Sequence, residues 1–125
     1  MILLDSDVAI DIPGRHQPAL DWLNTLAAGP IGLPGLVVME LIQGCRDRLE
    51  QSKVERFCSP FTIHWPSPLD CSRAMTDFAA HRLARNLGLL DALIAHTAVG
   101  LGEPLATFNL KHYRSIVALR ILQPY

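Results

Sequence analysis

The chain is short of charge. Only 18% of its 125 residues are Asp, Glu, Lys or Arg, and 12 acids against 11 bases leave a net charge of −1. An average soluble domain carries roughly a quarter charged residues, and a nucleic-acid binder normally shows a basic excess. Charge therefore permits a nucleic-acid partner without indicating one. No apolar stretch approaches the ~18 residues that a spanning helix needs, so no membrane is expected. Met1 runs straight into a strand-like segment with neither a basic start nor a cleavage site, so the expectation is no secretory leader. Cys45, Cys58 and Cys71 form no C-x-x-C pair and are odd in number. That argues for a reducing, cytoplasmic setting and for cysteines that serve as small core residues. The histidines lack an H-x-x-x-H spacing, so His96 and His112 read as satisfied or surface side chains rather than metal ligands. There is no internal repeat, linker or low-complexity segment, and the length suits a single domain over 1–125.

What the chain does have is apolar surface. Half of its residues are hydrophobic, more than one small core readily uses. A partner or a second copy covering the surplus is the expectation, with an enlarged core as the alternative.

The hydrophobic pattern alternates short strands with helices. Ile2-Leu3-Leu4 reads as a buried strand, and Pro18 to Ala28 as a helix with apolar residues at helical spacing. Ile31-Gly32-Leu33 is a second strand, followed by a helix from Pro34 or Gly35 to Gly44. A charged helix over 46–57 carries a thin apolar stripe of Leu49, Val54 and Phe57. A strand over 61–65 precedes Ser67-Pro68, a helix start with serine as N-cap and proline in the first turn. That helix should bury Ala74, Met75, Phe78, Ala79, Leu83 and Leu87. A helix over 91–101, a strand over 105–108, a short helix over 111–116 and a strand over 118–122 complete the order. The pattern predicts an α/β fold, three-layer α/β/α with a central, mostly parallel sheet. Such sheets bind ligands at the carboxyl ends of their strands, where Asp5 and Asn109 fall.

Three acids sit in apolar company: Asp5 after Ile2-Leu3-Leu4, Glu40 within 36–42, and Asp91 within 87–94. Carboxylates are rarely buried unless paired or bound to a cation. Each has a plainer reading: a helix cap or turn for Asp5, a solvent stripe or a pair with Arg46 or Arg48 for Glu40, a helix cap for Asp91. Asp7 and Asp11 read as exposed or capping. Together, three such acids predict a cluster around a divalent metal, Mg²⁺ or Mn²⁺, because hard oxygen ligands suit these ions. Setting the three aside leaves 12 − 3 = 9 acids against 11 bases, so the remaining surface would be +2. Lys111, Arg114, Arg82 and Arg85 could touch phosphates or be solvated charges. Trp22 and Trp65 read as core or interface residues.

Asp5 in Ile2-Leu3-Leu4-Asp5-Ser6-Asp7-Val8, Glu40 in Val38-Met39-Glu40-Leu41, Asp91 in Asp91-Ala92-Leu93-Ile94-Ala95-His96-Thr97-Ala98, and the segment Thr107-Phe108-Asn109-Leu110-Lys111-His112-Tyr113 resemble the PIN-domain ribonucleases, and within them the VapC-type toxins. The resemblance runs from Met1 to about Pro124. It implies a PIN-like fold and a metal-dependent endoribonuclease that leaves 5′-phosphate and 3′-hydroxyl ends. Asp5, Glu40 and Asp91 would surround Mg²⁺ or Mn²⁺, with Ser6 and Thr107 supporting them by hydrogen bonds. Asn109 falls where many members carry a fourth acid; an amide adds no charge, which leaves open whether the site holds one metal or two. An RNA substrate, a cognate antitoxin whose tail enters the active site, and a homodimer are the implied partners. Two alternatives stand beside it. One is a non-catalytic or weakly catalytic PIN-fold partner of an antitoxin. The other is a haloacid-dehalogenase-type phosphatase, for which Asp5-Ser6-Asp7-Val8 would suit but no acid pair follows residue 91.

Overall fold

A computed structural model of the chain describes residues 1–26 and 29–125. Five strands form one sheet: β1 (Ile2–Leu4), β2 (Ile31–Pro34), β3 (Thr62–His64), β4 (Leu105–Ala106) and β5 (Ile121–Leu122). Their order is β3-β2-β1-β4-β5, and every pairing is parallel. Parallel neighbours need helical crossovers, supplied by α1 (Ser6–Ala9), α2 (Gln17–Thr25), α3 (Gly35–Gln43), α4 (Arg48–Cys58), α5 (Pro68–His81), α6 (Leu89–Leu101) and α7 (Leu110–Tyr113). The chain steps from β1 to β2 to β3 in one direction, then returns past β1 to form β4 and β5 on the far side. Right-handed crossovers in opposite directions place helices on opposite faces, which makes the three-layer α/β/α sandwich. The reversal also makes the carboxyl ends of β1 and β4 a topological switch point, where the crossovers part and leave a crevice.

The sheet is buried through Leu3, Leu4, Leu33 and Leu105, all with no exposed surface, and α3 and α6 close over it with Val37 and Ile94. Ala92, Ala95 and Ala98 keep the buried side of α6 small, so α5 can approach it closely. At Gly100 an added Cβ would collide with the Asp70 carboxylate. That carboxylate is the returning half of a capping box, in which Ser67 Oγ accepts from Asp70 N at 3.1 Å and Asp70 Oδ2 accepts from Ser67 N at 2.9 Å.

Several expectations need correction. The second helix covers Gln17–Thr25, and its expected continuation over Ala27 and Ala28 lies outside the described residues. Met75, Ala79 and Leu83 are exposed, Leu83 at 82%. The first two lie off the α5 stripe of Ala74 and Phe78, and Leu83 lies beyond the helix end. Leu49 is exposed for the same reason on α4, while Val54 is buried. Of the cysteines only Cys58 is a core residue; Cys71 is exposed. The strand expected over 105–108 narrows to two residues, although Thr107 N still donates to Leu122 O at 3.1 Å. The one-turn α1 was not anticipated, since four residues are too few for a helical period to show. No helix among the described residues is long and apolar enough to cross a membrane.

Candidate active site

Asp5 stands at the carboxyl end of β1 with 4% of its surface exposed. Its backbone N–H donates to Ala106 O at 3.0 Å, which ties it to β4 at the switch point. It caps α1, as its plainer reading held, with Oδ1 accepting from Ser6 N at 2.8 Å. Oδ2 accepts from Thr107 Oγ1 at 2.7 Å. The capping bond and the cluster role therefore coexist, because a carboxylate has two oxygens. Burial pushes the Asp5 carboxyl above its usual range and the Asp91 charge adds to this, while the Thr107 and Ser6 hydrogen bonds oppose it.

Asp7 is the acid that sequence reasoning misplaced. It is drawn inward, with Oδ2 accepting from Phe108 N at 3.0 Å and lying 3.4 Å from Thr107 Oγ1. Burial, and then the neighbouring Asp5 charge, push its carboxyl up to about 6. Oδ1 of the same group is buried with no partner among the described residues. The missed signal was the i,i+2 pair Asp5/Asp7 itself: once α1 forms, its single turn brings both acids back toward the end of β4. Asp11 accepts from Tyr125 Oη at 2.6 Å and takes no part.

Glu40 enters from α3. Its pairing with Arg46 does not occur, since Arg46 Nε donates to Glu50 Oε1 at 2.8 Å instead. Glu40 Oε1 is buried without a partner among the described residues. Burial raises its pKa, followed by repulsion from Asp5, Asp91 and Asp7. Asp91 enters from the first turn of α6, where Oδ2 accepts from Gly88 N at 3.2 Å, so its capping reading also holds.

Asn109 precedes α7. Its backbone N–H donates to Thr107 Oγ1 at 3.0 Å, and its Nδ2 lies 2.9 Å from His112 Nδ1. The same His112 nitrogen is 3.4 Å from Asp91 Oδ2, so His112 is nearer the cluster than its spacing suggested. Tyr113 is fully buried below. Its hydroxyl is close enough to Asp5 and Asp91 for both to oppose its ionisation, after burial, yet among the described residues it finds no partner in hydrogen-bonding geometry. Thr107, fully buried, acts through its side-chain hydroxyl as expected. Ser6 acts through its backbone N–H; its hydroxyl makes no bond to Asp5 among the described residues. His96 lies elsewhere, its Nε2 2.5 Å from Asp77 Oδ2 between α6 and α5.

Asp5, Asp7, Glu40 and Asp91 thus repel one another across a space bounded by β1, α1, α3 and α6. The acids do not form a closed shell: among the described residues no three His, Cys, Asp or Glu side chains meet at metal-ligand geometry. Mg²⁺ does not need such a shell, because it keeps several waters and takes one or two carboxylates. The donor set is hard oxygen, and two of its oxygens are buried and unbonded among the described residues, which fits a small divalent cation. A groove of about 680 Å³ opens beside the acids, lined by Ile10, Leu41, Cys45 and Val54 together with Asp7 and Glu40.

A model of the PIN domain matches residues 2–115 of this sequence. The chain belongs to the PIN domain family. This PIN domain is 35% identical to Ribonuclease VapC10 of Mycobacterium tuberculosis, over 90% of this chain and 86% of that one. Its fold matches a chain of VapBC2 from Rickettsia felis, solved bound to a DNA fragment from their promoter, with a TM-score of 0.81 and 25% identity over 98% of each chain. A toxin-antitoxin complex from Klebsiella pneumoniae matches at a TM-score of 0.77 and 25% identity, covering 100% of this chain and 98% of that one. The phosphatase alternative finds no support among these relatives.

Proposed function

We propose that this PIN domain is a metal-dependent endoribonuclease toxin held in check by an antitoxin, with 1–125 acting as one nuclease domain. The observation that carries the chemistry is the gathering of Asp5, Glu40 and Asp91 with Asp7, where one oxygen each of Asp7 and Glu40 is buried without a partner among the described residues. Kinship with a ribonuclease and with chains from toxin-antitoxin complexes supports the substrate class and the partner.

Asp5 and Asp91 would be the principal ligands, and Glu40 would assist in ligation or in orienting water. Bound there, Mg²⁺ or Mn²⁺ would neutralise the phosphate and activate water for in-line displacement at phosphorus. Thr107 fixes the Asp5 carboxylate by its 2.7 Å bond, and Gly88 N fixes that of Asp91. Asp7, held by Phe108 N, adds negative charge that draws the cation in. A carboxylate site acting on phosphate does not read bases, so the choice of RNA lies outside the cluster. The groove suits an antitoxin segment with apolar side chains and a basic residue reaching Asp7 and Glu40. Exposed Met75 and Leu89, which flank an apolar recess between α5 and α6, would suit a second copy.

The test is RNA cleavage with Mn²⁺ by purified wild type, Asp5→Asn and Asp91→Asn, each checked for folding by circular dichroism. Wild-type cleavage lost in both variants is expected. Full cleavage by either variant refutes the assignment, and an inert wild type favours the non-catalytic antitoxin partner.

A further inference from the structure

One tyrosine grips both sides of the bond that holds Asp7. That bond runs from Phe108 N to Asp7 Oδ2 at 3.0 Å, between partners 101 residues apart in the chain. Phe108 stands beyond the end of β4, and its N–H goes to Asp7 rather than to a neighbouring strand. Its ring meets Tyr125 edge to face, with centroids 4.8 Å apart and planes at 72°. On the other side, Tyr125 Oη donates to Asp11 Oδ2 at 2.6 Å, in the turn that continues the chain from α1 and from Asp7. Trp22 of α2 and His16 at its N-cap also lie against the tyrosine, with ring centroids 6.0 and 5.9 Å away. Tyr125 reaches this place from β5, where Leu122 O accepts from Thr107 N at 3.1 Å, by way of a buried Pro124 whose ring fixes its φ. An apolar side chain could fill the same space. A phenol does more, because its ring and its hydroxyl hold two different segments.

We propose that Tyr125 is a positioning residue that clamps the 107–109 segment to the turn after α1, so that the Phe108 N–H stays aimed at the Asp7 carboxylate. Its consequence for the site rests on the metal reading above and goes beyond it. Asp7 is the acid whose charge draws the cation in, and the clamp decides where that charge points. Asp7 needs such help. Its carboxylate and that of Asp5 crowd one hydroxyl, Thr107 Oγ1, at 3.4 and 2.7 Å, and like charges at such range repel. Its Oδ1 is buried without a partner among the described residues. Released by Phe108, the side chain would gain by turning toward water. The clamp also gives Trp22 and Asp11 a use, since both hold the tyrosine.

The test reads amide hydrogen exchange in the metal-free protein and Mn²⁺ affinity by calorimetry. Tyr125→Leu keeps apolar bulk but removes ring and hydroxyl, and Tyr125→Phe keeps the ring. In Tyr125→Leu, exchange at Phe108 N should quicken by several-fold to about tenfold, the loss of a packed aromatic contact expressed as an opening equilibrium. Exchange at Asp5 N, which bonds Ala106 O at 3.0 Å within the sheet, should quicken much less. Tyr125→Phe should fall between wild type and Tyr125→Leu. Should Tyr125→Leu not fold, Tyr125→Phe carries the same comparison. Mn²⁺ affinity should drop about tenfold in Tyr125→Leu, the low end for losing a group that orients a metal site. In an Asp7→Ala background the same change should cost nothing further, because the clamp acts through Asp7. Equal acceleration of both amides means a mere loss of overall stability and overturns the proposal. So does wild-type Mn²⁺ affinity in Tyr125→Leu, or the full loss repeated in the Asp7→Ala background. If wild type itself binds no Mn²⁺, the metal reading fails, while the exchange comparison still decides whether the clamp exists.

Discussion

Replacing Thr107 by valine isolates the bond that makes a buried Asp5 tolerable. Valine has nearly the shape of threonine but no hydroxyl. In the native chain that hydroxyl donates to Asp5 Oδ2 at 2.7 Å and accepts from Asn109 N at 3.0 Å, with Thr107 itself fully buried. A hydrogen bond to a charged group is worth ~1.5–3 kcal/mol net, and a buried N–H left without an acceptor costs ~1–3 kcal/mol. The added apolar methyl returns ~0.8 kcal/mol. Asp5 would also take up a proton rather than remain charged in a drier setting, which limits the loss. The net expectation is ~2–4 kcal/mol of destabilisation, or roughly 6–16 °C in Tm for a domain of this size. Thr107→Ser keeps the hydroxyl and gives up one methyl, at ~0.5–1.5 kcal/mol. Urea and thermal unfolding in the presence of a chelator read both variants without interference from metal. Valine at least as stable as serine, or within ~0.5 kcal/mol of wild type, would refute the reasoning.

Asp7, with its carboxyl at about 6 in the folded chain, has an unfolded value near 3.9. The folded state binds this proton more tightly, so the group's stabilising effect is complete below pH ~4 and is lost as pH climbs to about 6. Metal-free wild type should therefore lose stability over that window relative to Asp7→Asn; a gap between the two melting curves that does not change with pH would contradict this. Asp77→Ala strands the buried His96, whose Nδ1 already lacks a partner among the described residues, and should cost ~1–3 kcal/mol in urea unfolding, with Asp77→Asn recovering part. Gly88→Ala would put a Cβ 2.8 Å from Asp91 Oδ2 and turn that carboxylate without removing its charge. Mn²⁺ affinity should fall while the circular dichroism spectrum stays native.

Long-range order was legible because parallel strands and their crossover helices write themselves as alternating apolar runs. The α5 start was legible because serine and proline in that order have few other uses. Helix ends were less so: the side chains of Asp47 and Asp91 set the starts of α4 and α6 by bonding Glu50 N and Gly88 N, and a capping aspartate reads the same whether it caps or not. The exposure of Met75 was not legible, since a helix with a partner and one without carry the same apolar residues; that of Leu83 was not, because the helix stops at His81, short of where its apolar spacing points. Within the site, Asp5, Glu40 and Asp91 betrayed themselves by apolar neighbours. Asp7 did not, for its burial comes from Thr107 and Phe108, 100 or more residues away in the chain. Ser6, expected to act through its hydroxyl, contributes its backbone N–H instead.

How the cluster is held also says what it is ready to bind. Its donors are the hydroxyl of Thr107 and the backbone N–H groups of Ser6, Phe108 and Gly88. All are neutral, and among the described residues no Lys or Arg lies within ion-pairing distance of Asp5, Asp7, Glu40 or Asp91. Neutral dipoles orient carboxylates but leave their charge in place, so the burial, and after it the mutual repulsion, that raise the pKa values of Asp5, Asp7 and Glu40 stay unrelieved in the bare chain. An arginine at this point would have steadied the fold and filled the site with its own guanidinium. A divalent cation relieves the same repulsion and can leave again, and its binding energy then adds to folding stability. Unrelieved burial of this kind is where a sequence departs from the rule that buried polar groups are satisfied, and such departures are expected where a fold gives up stability for function.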